Sequence, residues 1–120
     1  MTRAARSVLL FGYYLIATGI ALMAAPNLVL APVGIAPATE PWIHVLGVVV
    51  GVLGAYYVVA AKAQLDPFFR ATVWGRVLIL VGFIALVVLR IAPAPLILFG
   101  VVDALGALWT WMSLRSAGTA

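Results

Sequence analysis

Residues 98–111 read LFGVVDALGALWTW, an apolar run broken by a single carboxylate, Asp103, with no other charged residue beside it. The stretch reads as the core of a membrane span, and the rest of the chain agrees. Its 120 residues are 67% hydrophobic and 8% charged, with a mean hydropathy of +1.26, more apolar surface than a soluble domain of this size can bury. A span takes roughly 20 apolar residues at about 1.5 Å each to cross a hydrocarbon core of about 30 Å. Four such runs fit, at about 7–25, 42–61, 72–92 and 95–114, and leave no room for a separate soluble domain. The sequence predicts one integral membrane domain, 1–120: an all-α, four-helix transmembrane bundle in the lipid bilayer.

Punctuation between the runs supports this division. The first follows TRAAR (2–6) and stops at Pro26-Asn27; the second starts after Pro41 at Trp42 and ends at Lys62. The third follows KAQLDPFFRA (62–71), a short turn whose Phe68 and Phe69 are expected to dip into the interface beside Arg70. IAPAPL (91–96) makes a tight turn into the fourth, which ends at Arg115. The connector PNLVLAPVGIAPATEP (26–41) is apolar, and its prolines at 26, 32, 37 and 41 forbid a long helix. It is expected to lie in the interface or fold over the bundle mouth, as a greasy connector or as a lid over a ligand.

Basic residues are retained on the cytoplasmic side of a membrane. Arg3, Arg6, Lys62, Arg70, Arg76 and Arg115 fall at one side of the spans and Arg90 alone at the other, which predicts both termini in the cytoplasm. A cleaved signal peptide is the alternative for the first run, since TRAAR makes a basic leader and ALMAA (21–25) supplies small residues.

Composition also excludes. Without cysteine there is no disulfide framework and no thiolate nucleophile or metal site. The pI near 10.1 reflects scattered span-end cations, with no basic stripe or recognition motif for nucleic acid. No phosphate loop, GxSxG elbow, HExxH or dinucleotide fingerprint is present, and one histidine cannot build a multi-histidine iron or haem site. No metal, cofactor or catalytic residue is expected.

Membrane helices associate by close backbone approach, which needs small residues at helical spacing. Gly12 and Gly19 supply it in the first span; Gly47 and Gly51, with Ala55 and nearby Gly54, in the second; Gly75 and Gly82 in the third; Gly100 and Gly106 in the fourth.

The polar residues carry the functional expectation. Asp103 lies roughly 3 Å outward of its span's centre, where an ionised side chain costs about 2.5 to 3.5 kcal/mol and needs protein or water around it. Arg90 differs from it in axial depth by about 8 Å, so its long side chain could reach inward to pair, or else snorkel to the outer headgroups. His44 lies over the Gly51 seam and points into the bundle, either as an ordinary hydrogen-bonded histidine or as a ligand, and Glu40 stands just outside. Glu40, His44, Arg90 and Asp103 are expected to line one polar pocket in the outer half. Arg76, about a turn inside the cytoplasmic end of the third span, is expected to snorkel inward. Trp42, Trp74, Trp109 and Trp111 fall near span ends as belt residues, although Trp109 and Tyr56 could instead wall an aromatic pocket.

Taken together, GAYYVVAA (54–61), PFFRATVWGR (67–76) and DALGALWTW (103–111) resemble small four-span bacterial membrane proteins of the DoxX-like and BphX-like groups. That resemblance covers nearly the whole chain. It implies a multi-pass protein of the bacterial plasma (inner) membrane, carries over no catalytic residue, and marks Asp103, Arg76 and the Tyr56-Tyr57 pair as parts of a pattern.

Three functions compete. The first is binding of a lipophilic molecule, or an accessory role beside a partner membrane protein, with Asp103 as the polar anchor. The second is a proton- or ion-coupled carrier, which with four spans needs a homodimer. The third is an intramembrane enzyme with Asp103 as general acid or base. The lipophile-binding or accessory role is the leading expectation.

Overall fold

In the computed structural model, which describes residues 1–116, the Thr2 hydroxyl opens the first helix by accepting a hydrogen bond from the Ala5 amide at 3.1 Å. This is α1 (Arg3–Ala24), and the cap satisfies one of its orphan N–H groups. Ala25 leaves helical geometry, and Pro26, preset for a first turn, starts the short α2 (Pro26–Leu30), which continues into a 3-10 turn (Ala31–Val33). Gly34, at φ 79, ends that turn in the left-handed region. Then come α3 (Trp42–Lys62), α4 (Asp66–Val88) and α5 (Leu96–Ser116). The regular elements among the described residues are all helices, with no strand. The four longer helices are each long and apolar enough to cross a membrane.

The third long helix differs from the run expected at 72–92. It starts at Asp66 because Pro67 sits in the first turn, where its missing N–H costs nothing, and Asp66 there complements the helix dipole. PFFR is therefore helix, the α3–α4 connection shrinks to residues 63–65, and Phe69, instead of dipping into an interface, is fully buried in the core. At its other end α4 stops at Val88, and Arg90 turns the chain at φ 61.

Helix α1 packs along α3, α4 packs along α5, and α1 joins the two pairs through α5; α3 and α4, though consecutive, barely touch. The α1–α3 contact is a backbone seam. A Cβ on Gly19 would lie 2.5 Å from the Gly51 amide nitrogen, one on Gly47 2.6 Å from that of Met23, and one on Gly54 2.7 Å from the Gly12 carbonyl. No side chain fits there, which is why the helices approach so closely. Gly100 lies against Leu80 and Phe83 of α4, and Gly106 against the Phe11 ring. Gly75 and Gly82 meet nothing within 4 Å, so the seven-residue step in α4 faces open space, unlike that of α1.

The tight apolar core, including Ala5, Val8, Phe11, Tyr57, Ala61 and Phe69, gathers at the end of the bundle where the α3–α4 turn lies. Thr2 and Gln64 join there through a 2.8 Å hydrogen bond. Toward the opposite end the helices separate around a cavity.

Candidate ligand-binding cavity

The cavity measures about 380 Å³ and all four long helices wall it at helical spacing. Phe11, Tyr14, Leu15, Thr18 and Leu22 come from α1, and Ile43, Leu46, Val50, Leu53 and Tyr57 from α3. Ile79 and Phe83 of α4 and Leu96 and Phe99 of α5 complete the sides. Steps of three, four and seven residues keep each set on one face of its helix. Val29, Leu30 and Ile35 of the proline-rich connector line the far end. The connector thus folds over the bundle mouth, with Leu30 buried against the body.

Two charged side chains reach this otherwise greasy chamber: Arg76 of α4 and Asp103 of α5. Arg76 lies about 15 Å along α4 from its first residue and is 1% exposed. It does not snorkel. Its Nε donates to the Thr72 carbonyl at 3.1 Å, and its Nη2 donates to the Thr72 and Thr110 hydroxyls at 3.0 and 2.9 Å. The hydroxyls pass these bonds onward. Thr72 donates to the Phe69 carbonyl at 2.8 Å, and Ser7 donates to the Ala4 carbonyl at 2.7 Å. Because the Ser7 hydrogen is used there, the 2.8 Å contact between Ser7 and Thr110 is one in which Thr110 donates. Thr72 and Thr110 therefore each turn an oxygen toward the cation, Ser7 accepts from Thr110 behind them, and the network ties α1, α4 and α5 together.

One end of the guanidinium is left over. Arg76 Nη1 is buried with no hydrogen-bond partner among the described residues. The face of Phe11 lies over the guanidinium, 4.8 Å from ring centroid to Cζ, with Tyr57 at 5.8 Å, a cation–π cradle that offsets part of the desolvation. Gly106 leaves room for Nη1, since a Cβ there would come within 3.1 Å of it. Asp103, one turn before Gly106 and 9% exposed, lies close enough to feel the cation's field, but the unpartnered Nη1 does not close a hydrogen bond onto it.

The residues expected to form an outer polar pocket are not brought together. Asp103 lines the cavity, whereas Arg90 sits exposed beyond the end of α4, and Glu40 is exposed in the connector. His44 is exposed and donates from Nδ1 to the Met23 carbonyl at 2.7 Å, fastening the start of α3 to the end of α1. Tyr56 is 62% exposed, because one residue turns a helix by about 100°, and it is Tyr57 that faces inward. Trp109 is also exposed and lines no part of the cavity; its neighbour Thr110 holds the buried bond to Arg76. Sequence reasoning missed Ser7, Thr72 and Thr110 altogether. The available signal was Thr72 four residues before Arg76, on the same helix face. No group of three potential metal ligands occurs among the described residues.

Fold and site together define an all-helical protein with four membrane-length helices around an apolar chamber whose floor carries Arg76 and Asp103. Comparison with protein-family models, curated proteins and solved structures finds no match.

Proposed function

We propose that this protein is a multi-pass membrane protein that holds a lipophilic small molecule in the chamber between its four long helices. The observation that carries the reading is the cavity of about 380 Å³, apolar on every side and at its lid, with Arg76 and Asp103 at its floor. Sites for small lipophiles combine a mostly hydrophobic wall with a few placed polar groups. A pair of ionisable side chains kept inside a membrane-length bundle is costly unless it is used or compensated. For Arg76 that compensation is incomplete, because Nη1 has no hydrogen-bond partner among the described residues.

Orientation follows from charge. Arg3, Arg6, Lys62, Arg70 and Arg115 lie toward the end holding the termini, and Arg90 lies at the other, so the termini face the cytoplasm and the connector over the chamber faces outward. The likeness to small bacterial four-span proteins favours the inner membrane as the location.

Two measurements test this. The chain has no native cysteine, so Ala36→Cys and Ser116→Cys variants can be labelled singly in intact cells with an impermeant maleimide. Labelling at 36 and protection at 116 are expected, and the reverse pattern overturns the orientation. Native mass spectrometry of protein extracted in mild detergent is expected to show a bound lipophile, or uptake of biphenyl as a probe; neither bound mass nor uptake overturns the binding role.

A further inference from the structure

We propose that the molecule held in the chamber is a neutral lipophile of about 15 non-hydrogen atoms carrying a hydroxyl at one end, the hydroxyl donating its hydrogen to the Asp103 carboxylate. This rests on the lipophile-binding reading and specifies its ligand.

Size comes from the cavity. An apolar cavity of about 150 Å³ holds one benzene. A chamber of about 380 Å³ is roughly two and a half times that, which gives the stated size. From Asp103 to Leu96 at the connector end the rise along α5 is about 10 Å, the length of two linked rings.

Head-group chemistry comes from the floor. The hydrogen bonds of Arg76 are directed away from the chamber, into Thr72 and Thr110, and its free Nη1 is shut in beneath Phe11 and Gly106. Asp103 is the charged acceptor in the chamber's lining, with oxygens to spare, where the other accepting groups are the neutral hydroxyls of Tyr14, Thr18 and Tyr57. A ligand must therefore bring a donor. An ammonium would satisfy the carboxylate but place a second cation in the low-dielectric field of Arg76. A ligand carboxylate would set a second negative charge beside Asp103 with only the neutral hydroxyls of the wall to offset it. An ether or ketone offers only acceptors. A hydroxyl donates to Asp103, keeps the site's net charge balanced and turns its lone pairs toward the guanidinium's field. Tyr14, Thr18 and Tyr57 also line the wall, and their hydroxyls, which can both donate and accept, add no charge.

The test is a matched probe series on wild-type protein in lipid nanodiscs, with empty nanodiscs as the blank for partitioning: biphenyl, para-phenylphenol, para-methoxybiphenyl, para-aminomethylbiphenyl and biphenyl-para-carboxylate. Calorimetry is expected to show para-phenylphenol binding about tenfold tighter than biphenyl or the methyl ether, as a charge-assisted hydrogen bond supplies, with both charged probes weakest. Asp103→Leu should abolish the preference, so that para-phenylphenol and biphenyl bind alike, and Asp103→Asn, which keeps an accepting oxygen without the charge, should retain about threefold. A methyl ether equal to the phenol on wild-type protein, a charged probe that binds tightest, or a preference that survives Asp103→Leu each overturns the hydroxyl assignment. Binding of no probe at all, biphenyl included, overturns the lipophile-binding reading beneath it.

Discussion

Helix α1 is fastened to its neighbours in two different ways. Against α3 it offers glycines, and the two backbones touch where a single added carbon would collide. Against α4 and α5 it offers Ser7 at the end of a hydrogen-bonded chain that runs through Thr110 to a buried guanidinium. Apart from the His44–Met23 hydrogen bond at its end, the first joint is shape, since lipid gives apolar side chains no reason to prefer one another. The second is directional, and it links α1, α5 and α4 without reaching α3, which barely touches α4. The cavity exists because these joints differ: the seam draws α3 onto α1, while the polar tie holds α4 and α5 at a distance set by side-chain length.

Breaking the polar joint at its centre is expected to cost most. Arg76→Met removes three hydrogen bonds and strands Asp103 without its compensating charge, a loss of about 3 kcal/mol in an unfolding titration in mixed micelles. Adding Asp103→Leu should restore most of that stability, because removing both charges is far cheaper than removing one. A double variant no more stable than the single one would show that the hydrogen bonds, and not the charge balance, hold the joint.

The seam comes next. Gly19→Ala puts a methyl 2.5 Å from the Gly51 nitrogen, and rigid backbone on both sides must shift, for about 1 to 3 kcal/mol. Gly82→Ala faces open space and should stay within about 0.5 kcal/mol of wild type. Equal effects at the two positions would deny that α1–α3 contact is the joint the glycines serve.

The same contrast separates what could be read from the sequence from what could not. Four apolar helices, the small-residue seams of α1 and α3 and the isolation of Asp103 are written in composition and spacing. The identity of its cationic neighbour depended on one boundary. With the third helix begun at Thr72, Arg76 sits a turn from its end and Arg90 just inside the other. Starting it at Asp66, with Pro67 in the first turn, moves that end outward by about 9 Å, so Arg76 becomes deep, while stopping at Val88 leaves Arg90 outside. A proline read as a loop marker thus exchanged one arginine for the other. Tyr56 and Tyr57 could not be told apart because α3 is apolar nearly all round, leaving no polar face to fix its rotation. The hydroxyl chain was invisible for another reason: serine and threonine are common in membrane helices, and only three-dimensional proximity makes Ser7 and Thr110 partners.

A smaller effect is expected at the rim of the polar joint. Ser7→Ala removes the terminal acceptor of Thr110 and should cost about 0.6 kcal/mol, the typical worth of an interhelical hydrogen bond in a membrane. Thr110 can still receive from Arg76, so the guanidinium stays in place.

The smallest change in stability should come from the space between the joints. Val50 lines the chamber from α3, whereas Val48, two residues earlier, faces a groove on the other side. Val50→Phe puts ring atoms into space that is already empty, so neither joint is disturbed and stability should stay within about 0.5 kcal/mol. A ring takes up roughly the volume of one benzene site, about 150 Å³, which leaves too little of the 380 Å³ for two linked rings but enough for one. Biphenyl binding should therefore fall at least about tenfold while phenol, a single ring, is retained, and Val48→Phe should change neither. Loss of both probes would mean that the new ring blocks the way in and not the chamber itself. Unchanged biphenyl binding would mean that it never occupied the space between the seam and the tie.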